Sequence, residues 1–433
     1  EGRSYVYNFV SARIDEETVP QDDLLRYDEN LKEHMEAINE NRSTPIVLKP
    51  FQMLSGLMSE AYLDWVLGEP DAFLARLNEF VEAYNDEHKG RIKYPTFSED
   101  DLNTAAFWMA TGSGKTLLMH LNYYQYLHYA NEYDEEPDNI LLVTPNEGLS
   151  QQHIDKFRES GIPRRHFNAE SVDLWSTGGN PVKVIEIQKL TEEKTGEGLS
   201  VEVDSFEGRN LVMVDEGHKG ASSTAQTWRN RRKQLASDGF TFEYSATFGQ
   251  AVAGSSADVE EDYGKAILFD YSYPRFYDDG YGKDYNILNL ETEMRDELRE
   301  QYLLANLLTF FEQQYVYNRN PETFHDEYNI RNPLLVFIGH TVNASKTQSA
   351  LSNNDKQSLA DVEEVLLFLS RVLQNDDNWV PKTIETLLSE DSGLEREDGD
   401  DLFADEFGAL REAGLSGDDI HQRILANVFQ TES

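Results

Sequence analysis

The segment 109–116, MATGSGKT, combines the residue types that cradle phosphate groups. Glycines let successive backbone N–H groups turn inward around phosphate oxygens, and the start of a following helix favours an anion. Lys115 can reach the β- and γ-phosphates of a nucleotide, and the Thr116 hydroxyl can bind Mg²⁺. The strict pattern has one more glycine at its start, and the alternative is a glycine-rich turn without a ligand. The segment predicts a site for ATP and Mg²⁺ formed by Thr111, Gly112, Ser113, Gly114, Lys115 and Thr116.

A pair of acidic residues follows the apolar run 211–214. The run predicts a buried strand, whose end would present Asp215 and Glu216 to the crevice where ligands bind in parallel sheets. Asp215 would hold the metal through water, and Glu216 would orient and deprotonate an attacking water. With Lys115 they form the predicted catalytic set, although an isolated acidic pair is more often surface charge. His218 is assigned to the nucleotide site as well, with a polar cap on the strand end as the alternative.

The elements that position these residues are visible as short apolar runs that alternate with helical patterns. A helical pattern covers 117–130, directly after the phosphate loop. Buried strands that alternate with helices form a parallel sheet with helices on both faces. We therefore expect an α/β fold. Its predicted strands include 105–109, 139–144, 182–187, 211–214 and 240–244.

Three motifs in series carry a resemblance to a known family. The phosphate loop, DEGH at 215–218 and SAT at 245–247 resemble motifs I, II and III of superfamily-2 helicases. The closer resemblance is to the DEAD/DEAH-box proteins of the type III restriction-enzyme Res-subunit family, over roughly residues 45–345. It implies a RecA-like P-loop NTPase domain and an ATP-dependent nucleic-acid motor. The resemblance also implies that Ser245, Ala246 and Thr247 couple the nucleotide site to nucleic acid.

Two further segments extend the resemblance. The segment 141–153, LLVTPNEGLSQQH, resembles motif Ia, which touches the nucleic-acid backbone. The resemblance assigns nucleic-acid contacts to Thr144, Pro145, Asn146, Gln151 and His153, with ordinary polarity of a helix surface as the alternative for the last two. The segment 49–52, KPFQ, resembles an upstream motif whose glutamine, here Gln52, reads adenine.

The resemblance also suggests how the chain is divided. Residues 1–44 are predicted as an N-terminal extension, 45–290 as the first RecA-like domain and 291–330 as a helical linker. Residues 331–433 are predicted to begin a second RecA-like domain with a helical insertion, and PLLVFI at 333–338 would be its first buried strand. We find no QxxGRxxR arginine motif after residue 340, so we expect an N-terminal fragment that hydrolyses ATP slowly by itself.

The charge of the chain is unusual for a protein that binds nucleic acid. Among 433 residues, 80 are acidic and 38 basic, which gives a formal net charge of −42. The first explanation is adaptation to high salt, where a Debye length of about 3 Å at 1 M suppresses repulsion. A basic protein partner and a protein that does not touch nucleic acid are the alternatives. Acidic residues are spread along the whole chain, which favours the first explanation.

Composition and motifs together define the expected function. The chain has no cysteine and no apolar run near the roughly 20 residues that span a bilayer, so we expect a cytoplasmic protein without a membrane partner. We expect the DNA-translocating subunit of a type III restriction-like or phage-defence system, with double-stranded DNA and a DNA methyltransferase subunit as partners. A DExH RNA helicase and a non-motor NTP-dependent switch or scaffold are the alternatives. The intact Lys115, Asp215 and Glu216 argue against a scaffold.

Overall fold

The chain forms two compact units, Glu1–Lys283 and Asp284–Ser433, in the computed structural model. The first unit thus includes residues 1–44, which were predicted as a separate extension, and ends before the predicted boundary at 290. The structure describes residues 2–88, 93–166, 180–191, 201–202, 206–216, 232–252, 257–285, 288, 296–328, 330–337, 361–389, 391–395 and 399–430.

The first unit contains a seven-stranded sheet in which every pairing is parallel, with the order β3-β4-β2-β7-β8-β1-β9. This confirms the predicted α/β fold with a parallel sheet. Strands β5 and β6 form a separate parallel pair. The strands are β1 Thr104–Met109, β2 Asn139–Thr144, β3 Arg164–His166, β4 Val182–Glu186, β5 Leu190–Thr191, β6 Val201–Glu202, β7 Asn210–Asp215, β8 Phe240–Ser245 and β9 Ile267–Tyr271.

Both faces of the sheet are buried, as the continuous apolar runs predict. Along β7, Leu211 and Met213 belong to one apolar core, and Val212 and Val214 belong to another on the opposite face. This alternation follows from the two-residue period of a strand. The helices of this unit are α1 Tyr5–Ser11, α2 Gln21–Asn39, α3 Pro50–Gly68, α4 Pro70–Glu87, α5 Lys115–Glu132, α6 Glu147–Glu159, α7 Phe248–Val252, α8 Ala257–Ala266 and α9 Tyr273–Asp278.

The N-terminal residues belong to the core of this unit. On α2, Tyr27, Leu31 and Ile38 are fully buried in the same cluster as Leu57 of α3 and Leu121 of α5. Their spacing of four and seven residues is that of one helix face. The prediction of an N-terminal extension did not anticipate this amphipathic helix, whose buried face also carries the polar residues Asp28, Asn30 and His34.

A buried polar network joins α2, α3 and α5. Glu60 of α3 is fully buried and accepts hydrogen bonds from Gln125 Nε2 at 2.6 Å, Tyr129 Oη at 2.7 Å and Asn30 Nδ2 at 3.2 Å. His34 Nε2 lies 3.4 Å from the same carboxylate. A buried carboxylate is tolerated only when such donors replace its lost hydration. Because α5 begins at the end of the phosphate loop, the network also fixes the helix that carries Lys115.

The described part of the second unit consists of helices around a separate core. Leu308, Phe311, Ile384, Phe403 and Ile420 are among its buried residues. The helices are α10 Asp296–Arg319, α11 Pro321–Tyr328, α12 Asp361–Gln374, α13 Trp379–Leu388, α14 Gly408–Glu412 and α15 Gly417–Asn427. Across the described ranges of both units, no helix is long and apolar enough to cross a membrane.

The predicted buried strand at 333–338 is not formed over its described residues, 333–337. The side chain of Leu334 is 81% exposed and that of Val336 is 62% exposed. A buried strand needs neighbouring strands for its backbone groups, and the described residues of this unit form helices but no strand of a sheet. The second RecA-like domain therefore remains a prediction.

We predict that Glu60→Ala lowers the free energy of unfolding by about 3 kcal/mol, because it removes the acceptor that three buried donors share. Urea unfolding followed by circular dichroism measures the change. Glu79→Ala, at an exposed position of α4, is the matched control and should change stability by less than about 0.5 kcal/mol. Equal effects of the two substitutions would contradict the importance of the network.

Candidate nucleotide site

The phosphate loop connects β1 to α5 and has the backbone that its glycines predict. Gly112 and Gly114 have φ values of 84° and 95°, in the left-handed region that side chains disfavour. The backbone N and the Oγ of Ser113 donate to the carbonyl of Ala110 at 3.2 and 2.7 Å, which closes the turn. A Cβ at Gly114 would lie 2.4 Å from Gln52 Nε2. Glycine is therefore required at 114 both by its φ and by its neighbour.

Gln52 supports this loop from α3. Its Nε2 donates to the carbonyl of Ser113 at 2.8 Å, and its Oε1 accepts from the backbone N of Lys49 at 2.9 Å. The side chain is buried, so the amide is held between the loop and the start of its own helix. The structure thus shows Gln52 in contact with the predicted site, whereas its reading of adenine stays a prediction.

Sheet order brings the three motifs together. Strand β8 pairs with β1 on one side and with β7 on the other. In register, Ser245 lies opposite Trp108, and Tyr244 lies opposite Asp215. Because the strands are parallel, the phosphate loop, residues 245–247 and the acidic pair all follow the carboxyl ends of adjacent strands. This edge is where ligands bind in open α/β sheets.

Two opposing influences act on the pKa of Lys115. Burial lowers the pKa of Lys115, whereas the carboxylates of Glu216 and Asp215 act in the opposite direction. The Lys115 Nζ lies 3.3 Å from the carbonyl of Met109 and 3.5 Å from that of Ala110. The amine is therefore held at the loop between backbone acceptors and two carboxylates, where an incoming phosphate would favour its charged form.

Glu216 has an unusual backbone. Its φ is 58°, and its backbone N donates to the carbonyl of Tyr244 at 2.9 Å. A left-handed conformation costs a residue with a side chain roughly 1–2 kcal/mol. Such strain is found at functional sites, where the surroundings hold it. Here the turn directly after β7 sets the direction of the Glu216 side chain relative to Asp215.

Two residues predicted to contact nucleic acid have buried side chains. His153 is 3% exposed, and its Nε2 lies 2.9 Å from Asp215 Oδ2. Thr144 is 1% exposed, and its hydroxyl lies 2.7 Å from Ser150 Oγ. The structure thus places both side chains inside the domain, and their contact with nucleic acid stays a prediction. His153 is buried because the inner face of α6 carries Ser150, His153 and Phe157.

Three other predicted contact residues reach the surface at the start of α6. Asn146 and Gln151 are exposed, and Pro145 is partly buried. Asn146 also caps the helix, because its Oδ1 accepts from the backbone N of Leu149 at 3.0 Å. Their contact with nucleic acid stays a prediction. His218 lies outside the described residues.

The SAT motif is tied to the strand that precedes the phosphate loop. Ser245 Oγ accepts from the backbone N of Thr247 at 3.0 Å, and the carbonyl of Ala246 accepts from Trp108 Nε1 at 3.1 Å. A Cβ at Gly249 would lie 2.6 Å from the Trp108 ring, so glycine leaves room for the indole. Sequence reasoning missed Trp108, because an indole within an apolar run has no signal of its own.

The residues at this edge suit a nucleotide with a divalent cation. The hydroxyl of Thr116 and the carboxylate of Asp215 are oxygen ligands of the kind that Mg²⁺ prefers, with phosphate oxygens and water completing its shell. The left-handed glycines provide the close backbone approach that phosphate oxygens need. These features define the class: a RecA-like P-loop NTPase domain.

The match to a protein family agrees with this class. Residues 74–250 match the family described as type III restriction enzyme, res subunit. The matched range contains the phosphate loop and the acidic pair, whereas α1 to α3, including Gln52, precede it.

Among solved structures, the SWI2/SNF2 ATPase core of Sulfolobus solfataricus in complex with dsDNA is similar, with 11% sequence identity and a TM-score of 0.28. The similarity covers 67% of this chain and 60% of that chain, which is less than two thirds of its length. No curated protein matches the chain.

We predict that two substitutions separate nucleotide binding from hydrolysis. Lys115→Ala should weaken ATP binding by roughly 100-fold or more, because it removes the charge that faces the phosphates. Glu216→Gln should retain binding but lower turnover by roughly 10²–10⁴, because an amide cannot take the proton of water. Fluorescent-nucleotide titration and phosphate release measure the two effects.

Lys156→Ala serves as the control for the loss of a lysine, because Lys156 is exposed on α6 and pairs with Glu159. It should leave nucleotide affinity unchanged. Equal affinity of the wild type and Lys115→Ala would refute the assignment of the loop.

Proposed function

We propose that the chain is the ATP-driven, DNA-translocating part of a type III restriction-like or phage-defence system. The observation that carries the proposal is the meeting of Lys115, Asp215 and Glu216 at one edge of the sheet, beside a correctly formed phosphate loop. The residues expected to bind the phosphates, hold the metal and orient the water are all present, which supports a motor over a scaffold. The family description of residues 74–250 supports a restriction-type system.

The geometry suggests how hydrolysis proceeds. Backbone N–H groups of the loop and Lys115 hold the phosphates, while Glu216 orients a water molecule and takes its proton. The water oxygen forms a bond to the γ-phosphorus, the bond from that phosphorus to the bridging oxygen breaks, and ADP and phosphate are the products. Mg²⁺, held by Thr116 and Asp215, would neutralise charge on the phosphate oxygens.

Nucleic acid would bind at the same edge of the sheet. Asn146 and Gln151 are exposed directly after β2, which is the neighbour of β7. We propose that they contact the DNA backbone, and that Ser245, Ala246 and Thr247 relay the state of the nucleotide. The hydrogen bond from Trp108 to Ala246 supports such a relay, because it joins the strand of the phosphate loop to this motif. A DNA methyltransferase subunit is the proposed protein partner.

We predict that duplex DNA stimulates ATP hydrolysis by this protein and that RNA does not. Translocation should displace a triplex-forming strand from duplex DNA in an ATP-dependent manner. Glu216→Gln is the control, because it should bind ATP and DNA without displacing the strand. Stimulation by RNA alone would replace the proposal with an RNA helicase, and hydrolysis that no nucleic acid changes would favour an NTP-dependent switch.

The acidic surface suggests the conditions in which the protein works. We propose that the net charge of −42 is an adaptation to molar salt. At 0.1 M salt the Debye length is about 10 Å, so neighbouring carboxylates repel one another, whereas at 1 M it is about 3 Å. The same screening would let an acidic protein approach DNA, with contacts limited to short range.

We predict that the melting temperature rises by several degrees as KCl increases from about 0.1 M to 2 M, because repulsion in the folded state is screened. Differential scanning fluorimetry over a salt series measures it. Sucrose at equal osmolality is the control, because it is excluded from the surface without screening charge. A melting temperature that falls with KCl would instead favour a basic protein partner.

A further inference from the structure

One buried contact reaches the proposed metal site from outside the three motifs. His153 lies on the inner face of α6, and its Nε2 is 2.9 Å from Asp215 Oδ2. The histidine side chain is 4% exposed and the aspartate side chain 12% exposed, so water competes little for this contact. Since an ionised carboxylate oxygen only accepts, Nε2 must carry the hydrogen. A charge-assisted hydrogen bond of this kind is among the stronger ones in proteins.

Among the described residues, Asp215 is the hydrogen-bond partner of the His153 imidazole. The Nδ1 of His153 is buried and has no hydrogen-bond partner among the described residues. A buried polar atom without a partner is unfavourable, so an apolar residue would suit this position better if packing were its only role. The donor at Nε2 is the feature that an apolar residue would lack.

The helix that carries His153 is held near both of its ends. Near its start, Ser150 Oγ lies 2.7 Å from the Thr144 hydroxyl at the end of β2. At its end, Arg42 donates to Glu159 Oε2 at 3.0 Å and to Ser160 Oγ at 2.7 Å. A helix fixed in this way places the imidazole in one position, as a group that orients a metal ligand requires.

We propose that His153 is a positioning residue for Asp215. By donating to Oδ2 it fixes the rotation of the carboxylate and leaves Oδ1 for the hydration shell of the metal. The inference rests on the proposed nucleotide site, and it assigns to motif Ia a role at the metal in addition to its expected contact with nucleic acid. Residues that orient metal ligands in this way are typically worth 10- to 100-fold in metal affinity.

The test measures binding rather than turnover. The affinity for a fluorescent ADP analogue is determined in EDTA and in saturating Mg²⁺, and the ratio of the two dissociation constants reports the metal's contribution. We expect His153→Ala to reduce this ratio by about 10-fold, with the affinity in EDTA unchanged. His153→Gln should restore most of the ratio, because its amide can donate to the same oxygen. His153→Leu, which retains bulk without a donor, should behave as His153→Ala and replaces it if alanine prevents folding.

His120→Gln is the matched control for the loss of a buried imidazole. His120 is 1% exposed and packs on Phe157, with ring centroids 4.8 Å apart, as His153 does at 6.2 Å. Its hydrogen bond goes to Ser160 instead of Asp215. We expect this variant to lower stability and to leave the Mg²⁺ ratio at the wild-type value.

The outcomes separate this inference from the proposed function. A wild-type ratio in both His153→Ala and His153→Leu would overturn the role of His153 alone. An equal loss in His120→Gln would reduce that role to packing and overturn the inference. If the wild type shows no Mg²⁺-dependent affinity and Lys115→Ala binds equally well, the nucleotide site itself is wrong.

Discussion

The form of the phosphate loop depends on one contact, made by the side-chain amide of Gln52. Gly114 has a left-handed backbone and no Cβ, so this amide can lie against it and donate to the carbonyl of Ser113. Gln52 belongs to α3, and α3 is joined to α5 by the donors around Glu60. The phosphate loop is thus held by α3, which precedes it in the chain, and by α5, which begins at its end. The domain matched to the family begins at residue 74, so part of the support for its phosphate loop lies upstream of it.

The motifs could be predicted because their chemistry is local. The phosphate loop needs glycines next to Lys115, and these residues are consecutive in the chain. The position of Asp215 and Glu216 at the end of an apolar run is equally local, and parallel strands bring such ends to one edge of the sheet. The sequence could not reveal that β8 lies between β1 and β7, because the order of strands depends on long-range pairing.

Other features could not be predicted, because exposure depends on the whole fold. Thr144 and His153 belong to a motif that resembles a nucleic-acid contact, yet both side chains are buried. The spacing of Ser150, His153 and Phe157 marks an inner helix face, so the helical period indicates burial where the motif does not. The segment 333–337 shows the opposite error, since Leu334 and Val336 are exposed in the structure and the segment forms no strand.

Helix α6 therefore has two faces with different functions under the proposed mechanism. Its outer face presents Gln151 to solvent beside the exposed cap residue Asn146, and its inner face presents His153 to Asp215. Because the helix is held near both ends, its faces move together rather than independently. A contact that displaced the outer face would also change the distance from the imidazole to the carboxylate. Nucleic acid and metal would then influence each other through one rigid helix, and by linkage each would alter the affinity of the other by the same factor.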